Sequence, residues 1–183
     1  MASSPFPTTQ HTSEQVVESA GAVLFRLSTH QICLLHLLSR DEYLLPKGRR
    51  NIGETIHQAA IREVREETGY QRVRLLPVKM GSRAPPAVET ESSAGDVLRV
   101  YDGIQEPFML QIRRLQSERD VKLVWWFIAA VEEEEAVSGA TGSGEERYEV
   151  RFWGYEEAVE KLTFQLDRDM VKRAVEIVEA SGH

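Results

Sequence analysis

A single cysteine, Cys33, stands among 183 residues, which excludes an intramolecular disulfide framework and suits a reducing compartment. Its apolar setting, Ile32-Cys33-Leu34-Leu35, marks it as strand packing rather than a reactive thiol. Basic residues are not in surplus: 22 Lys and Arg against 29 Asp and Glu give a net charge of −7. That balance argues against a nucleic-acid or acidic-membrane surface, while leaving room for anionic substrates at a local basic cluster. No apolar run approaches the roughly twenty residues that cross a bilayer. The opening MASSPFPTTQHTSEQ has neither the basic start nor the apolar stretch of a leader. A cytoplasmic protein is therefore expected, with the nucleus as the alternative, and with neither membrane nor nucleic acid as partner.

What is present suits one globular domain, at 42% hydrophobic and 28% charged. Residues 1–15, rich in Ser, Thr, Pro and Gln, are expected to form a disordered arm, and 16–183 a single domain. Two apolar segments, 18–26 and 31–38, flank a Ser-Thr-His-Gln turn and predict a hairpin. A strand is expected over 73–79, and a core strand over the most apolar run, Val121–Val131, VKLVWWFIAAV, with Trp125 and Trp126 on opposite faces. Gly81 to Gly95 lacks periodicity, so a long loop or insertion is expected near 81–107, followed by a partly alternating segment at 106–112. An acidic, glycine-rich connection follows Val131. Apolar stripes at Ala158, Val159 and Leu162, then from Met170 to Val178, predict closing helices.

The chain is organised around Gly48 to Tyr70, GRRNIGETIHQAAIREVREETGY. Ile56, Ala60, Ile61 and Val64 repeat as one buried helical stripe, Asn51 with Glu54 resembles a capping box, and Gly69 sits where a left-handed residue ends a helix. A helix from Glu54 to Thr68 follows. On it Glu63, Glu66 and Glu67 crowd one face at spacings where like charges repel. A hard divalent cation is the fitting compensation, since Mg²⁺ takes carboxylate oxygens and leaves positions for phosphates. Arg62 and Arg65 are the other neutralising groups, and a solvated charged face is the competing reading. Lys47, Arg49 and Arg50, with Arg40 as a weaker member, form a basic cluster placed to touch phosphate.

The full spacing resembles the Nudix box: Gly48, five residues, Glu54, seven residues, then Arg62-Glu63-Val64-Arg65-Glu66-Glu67-Thr68-Gly69-Tyr70. The resemblance implies an α/β fold, a Nudix-type α/β/α sandwich with a mixed central sheet. It implies Mg²⁺, or Mn²⁺, held by Glu63, Glu66 and Glu67 with the Gly48 carbonyl joining them. It also implies that Arg62 and Glu54 orient those carboxylates from behind. Many members place a further metal-binding or base-like glutamate ahead of a late strand, where Glu146 is the first candidate here and Glu149 the second. The general base is left open among Glu63, Glu66 and Glu146.

The implied activity is Mg²⁺-dependent hydrolysis of a nucleoside diphosphate linked to a further group, a phosphorylated small molecule. The segments Leu45-Pro46-Lys47-Gly48 and Trp153-Gly154-Tyr155-Glu156-Glu157-Ala158 look most like the branch acting on diadenosine polyphosphates and diphosphoinositol polyphosphates. Nucleotide sugars and other dinucleotides are the alternatives, as is a sensor that binds a nucleotide without turnover. Base stacking is open among Tyr43, Phe108, Trp125, Trp126 and Phe164.

Overall fold

The computed structural model describes residues 5–86, 96–117, 119–132, 140–141 and 147–183. The elements run in the order β1 (Val16–Arg26), β2 (Gln31–Leu37), β3 (Glu42–Leu44), β4 (Lys47–Arg49), α1 (Ile56–Thr68), β5 (Val73–Leu75), β6 (Val78–Ser82), β7 (Arg99–Ile104), β8 (Met109–Arg114), β9 (Val121–Val131), β10 (Ala140–Thr141), β11 (Tyr148–Gly154), α2 (Tyr155–Lys161) and α3 (Gln165–Ala180). Nine strands make one mixed sheet in the order β10-β11-β2-β1-β9-β5, with β3 on β2, β4 on β1 and β8 on β9. Among the described residues only β1 and β9 pair in parallel, from Val16↔Val121 to Phe25↔Ala130, and the other pairs are antiparallel. Strands β6 and β7 form a separate two-stranded sheet.

The alternation of β1 and β9 sorts side chains to two cores. Ala20, Ala22 and Leu24 with Phe127 and Ala129 face one way, onto Ala59, Ala60 and Val64 of α1. Val23 and Phe25 with Val124, Trp126 and Ile128 face the other, onto Met170, Val171 and Ala174 of α3. The result is the expected α/β/α sandwich. Cys33 lies wholly inside the α1-side core, and burial pushes its thiol pKa far up, so it packs and does not react. The two tryptophans part as their adjacency requires. Trp126 is 1% exposed, while Trp125 sits half-buried and donates from Nε1 to Glu18 at 3.0 Å.

Three local expectations change. Helix α1 begins at Ile56 because Thr55 caps it, accepting from the Gln58 amide while the Gln58 side chain accepts from the Thr55 amide. Asn51 N–H does donate to Glu54 Oε2 at 2.9 Å, but this bond closes a turn ahead of the helix. Gly69 ends the helix at φ 79°, as its identity predicts. The strand expected over 73–79 is divided at Leu76-Pro77 into β5 and β6, which join different sheets. Within the stretch taken as a loop, β6 and β7 pair from Val78↔Ile104 to Ser82↔Arg99. Residues 87–95 of that loop, the Glu133–Glu135 run, and residues 1–4 of the arm lie outside the described residues.

Candidate functional site

Strand β4 is held against β1 by Gly21, since a side chain there would overlap the Pro46 carbonyl, Lys47 and Trp126. From the other side α1 brings its acidic face to the same strand. Glu63 seats its carboxylate directly on Gly48, in space that a Cβ at Gly48 would fill. One turn along, Glu67 Oε2 accepts the Lys47 amide at 2.7 Å.

Arg62 ties the remaining acids together. Its Nε and Nη2 donate to the two oxygens of Glu54 at 2.8 and 3.0 Å, a bidentate fork. Nη1 donates to Glu63 Oε1 at 2.7 Å and Glu66 Oε2 at 3.0 Å, and Nη2 also reaches the Arg49 carbonyl at 2.8 Å. All five N–H donors of the guanidinium are thereby engaged. These hydrogen bonds, from Arg62 foremost, hold the Glu54 carboxyl below its ordinary 4.5. The same bonds, Glu54 first, raise the Arg62 pKa further. Arg65 turns the other way, to the Val73 carbonyl at 3.3 Å, and adds nothing to the neutralisation.

One guanidinium thus serves three carboxylates, Glu67 makes a fourth beside them, and the cluster remains acidic. Among the described residues no three acidic, His or Cys side chains already converge on one point. Glu63 and Glu67 meet β4, while Glu66 stays largely exposed on Arg62. The donor set nevertheless fits a hard divalent cation: excess carboxylate charge, hard oxygens, and at Gly48 a cradle that only glycine leaves open. Glu63, Glu66, Glu67 and the Gly48 carbonyl are the groups that would hold it.

The other sequence candidates divide. Lys47 and Arg49 flank Gly48 on β4 and share one face, with neither in an ion pair among the described residues. Arg50 is committed elsewhere, in an ion pair with Glu18 and donating to the Glu54 carbonyl at 2.9 Å, so it pins the loop ahead of α1. Arg40 sits exposed in the turn between β2 and β3. Glu146 lies outside the described residues. Glu149 lines a separate cavity of about 140 Å³ with His36, Tyr43, Arg151 and Trp153. Of the aromatic candidates, Tyr43 stacks on His36 at 4.3 Å, Phe108 and Trp126 serve the core, and Phe164 is half-exposed at the start of α3.

Sequence reading missed three charged groups near Lys47. Lys122 on β9 and Arg113 on β8 are direct cross-strand partners. Asp167, in the first turn of α3, is 5% exposed. Burial raises its carboxyl pKa, against the pull of Arg113 and Lys47. The alternation of VKLVWW does place Lys122 on the Trp126 face, but only the strand pairing shows what it meets.

The class defined here is a three-layer α/β/α sandwich carrying an acidic helix against a glycine-bearing strand. The NUDIX domain family model matches residues 17–174, and the chain belongs to this family. It is 33% identical over 106 residues to an 8-oxo-(d)GTP phosphatase of Mycolicibacterium smegmatis, a match covering 48% of this chain and 33% of that protein. The matched region thus spans about a third of the length of this curated relative. Among solved structures, the E. coli dihydroneopterin triphosphate pyrophosphohydrolase superposes with a TM-score of 0.56 at 16% identity, over 85% of this chain and 92% of its own. A C. elegans Ap4A hydrolase does so with a TM-score of 0.51 at 17% identity, over 88% and 96%. At these identities the structural likeness concerns the fold.

Proposed function

We propose that this chain hydrolyses a phosphoanhydride bond in a nucleoside diphosphate derivative, with Mg²⁺ or Mn²⁺ at the α1 carboxylates. The finer reading is that its substrate carries a long or dense run of phosphates, as in a diadenosine polyphosphate or a diphosphoinositol polyphosphate. The observation that carries the activity is the surplus of carboxylates over Arg62, gathered at Gly48. Lys47 and Arg49 beside that surplus support the polyphosphate reading.

The chemistry divides between the bound ion and the chain. When bound, the ion neutralises nonbridging phosphate oxygens and acidifies a coordinated water. Glu54 and Arg62 hold Glu63 and Glu66 in fixed orientations, and the Lys47 amide fixes Glu67. Lys47 and Arg49 draw in and orient the phosphates by charge. One of Glu63, Glu66 or Glu146 takes the proton from the attacking water. In-line displacement at phosphorus then expels a phosphate leaving group, with positioning and electrostatics supplying most of the acceleration.

The test is product analysis by mass spectrometry. Diadenosine polyphosphates, inositol pyrophosphates and nucleotide sugars are offered in parallel, with Mg²⁺ and with EDTA. Mg²⁺-dependent release of phosphate or mononucleotide from the first two classes is the expected result. Tight binding with no turnover across the panel would replace the hydrolase with a sensor.

A further inference from the structure

Beyond the acidic side, the sheet carries a second feature that the chemistry above does not use in full. Cross-strand partners point to the same face, so the register places Lys47 and Arg49 with Gly21 and Ser19 of β1, and these with Trp126 and Val124 of β9. Two residues back along β9 is Lys122, opposite Arg113 of β8. Four cations therefore lie on one face, spread over β4, β9 and β8 with β1 between, on the side of the sheet that α3 covers further along.

Asp167 and Glu63 are carboxylates that act on members of this group, but neither closes an ion pair with one. Among the described residues none of the four forms an ion pair with a carboxylate, and the Arg113 guanidinium rests on Gln111 Oε1 at 2.9 Å from Nη2. Like charges placed directly opposite across strands cost stability, and Arg113 with Lys122 is such a pair. Lys122 is half-buried as well. Burial first, then Lys47, Arg113 and Arg49, push its ammonium pKa below the ordinary 10.5, with Glu63 pulling the other way. In a chain of net charge −7, a half-buried lysine among unpaired cations is an arrangement that solubility does not require.

We infer that Lys122 and Arg113 form a distal anion subsite, which takes the phosphates beyond the two that the α1 carboxylates and their ion engage. The inference rests on the polyphosphate reading above and deepens it: these two residues set how many phosphates the site rewards. A compact diphosphate ends near β4, whereas a chain of three or more phosphates, or a densely phosphorylated ring, reaches β9 and β8. Asp167, buried next to Arg113 and Lys47, bounds the subsite on the α3 side.

The experiment uses the full chain with saturating Mg²⁺ and titrates inorganic tripolyphosphate and pyrophosphate by calorimetry. Lys122→Met and Arg113→Gln should each weaken tripolyphosphate about tenfold, the scale of one charge-assisted hydrogen bond, with a much smaller loss for pyrophosphate. Lys122→Met should also raise the melting temperature without ligand, since it relieves a buried repulsion, yet gain less from added tripolyphosphate. Lys172→Met, on the exposed side of α3, is the control and should change neither affinity. Equal losses for both probes would overturn the subsite, and so would no loss in either variant, which would mark a solvated basic face only. Arg113 is exposed on an edge strand, so its variant decides the matter even if Lys122→Met misfolds. Wild-type turnover of diadenosine tetraphosphate and an inositol pyrophosphate is measured alongside. If neither is hydrolysed, the polyphosphate reading fails, while the ratio of the two affinities still judges the subsite.

Discussion

The two sides of β4 handle charge in opposite ways. On the α1 side Glu54, Glu63 and Glu66 share Arg62 while the Lys47 amide holds Glu67, and every donor of that guanidinium is used, so the hydrogen bonding is complete while the net charge stays negative. On the α3 side four cations close no ion pair among the described residues, with Asp167 the buried carboxyl beside Arg113 and Lys47, and burial first, then the neighbouring cations, lower the pKa of Lys122. The acidic side is organised in advance by its own residues. The basic side has no matching set of ion pairs among the described residues. On the proposed reading, a metal-bound polyphosphate would complement both at once.

The comparison breaks most severely if the acidic side is cut. Glu63→Gln and Glu67→Gln should each lower Mg²⁺-dependent turnover by about 10²–10³-fold, measured as kcat at saturating substrate. Gly48→Ala tests the same side without touching a charge. Its methyl group would occupy the position of the Glu63 carboxylate, so Mn²⁺ affinity followed by electron paramagnetic resonance should fall about 10–100-fold. Arg62→Lys keeps the charge but loses the fork, and it should cost about 1–2 kcal/mol, or roughly 2–8 °C in thermal melts. If Arg62→Lys melts like wild type, the acidic side is less organised than described.

Acid titration sharpens the contrast further. Glu54 has its folded pKa depressed below 4.5, chiefly by Arg62. Its stabilisation is therefore fully present above 4.5 and is lost as pH falls through the folded value. Glu54→Gln should flatten that part of the acid limb in denaturant titrations at graded pH. Asp167 has the opposite sign: burial raises its pKa above 3.8, so its contribution is present below 3.8 and lost as pH rises through the folded value. Asp167→Asn should be slightly more stable than wild type at neutral pH, an advantage that shrinks toward pH 4 in the same titrations.

How much of this was legible in the sequence follows from the range of each interaction. Helix α1 and its acidic face were legible because an i, i+3, i+4 spacing and a terminal Gly69 are local signals. Its start was misplaced because two capping pairs compete within a few residues, and Thr55 with Gln58 takes the helix while Asn51 with Glu54 takes the turn. Strand β7 was hidden because it presents no fully buried residue, so its sequence lacks a core-facing alternation. Arg50 looked like a phosphate ligand because its partner Glu18 lies on β1, far away in the chain. Lys122 and Arg113 went unnoticed for the same reason: Lys122 interrupts an apolar run, and only its pairing with β8 and the line through β1 to β4 gives it company.

The most direct test of the account is a crystal grown with Mn²⁺ and measured at the manganese absorption edge. An anomalous peak is expected between the carboxylates of Glu63 and Glu67 and the main chain at Gly48. Those side chains turned to bulk solvent, with no peak beside β4, would contradict it.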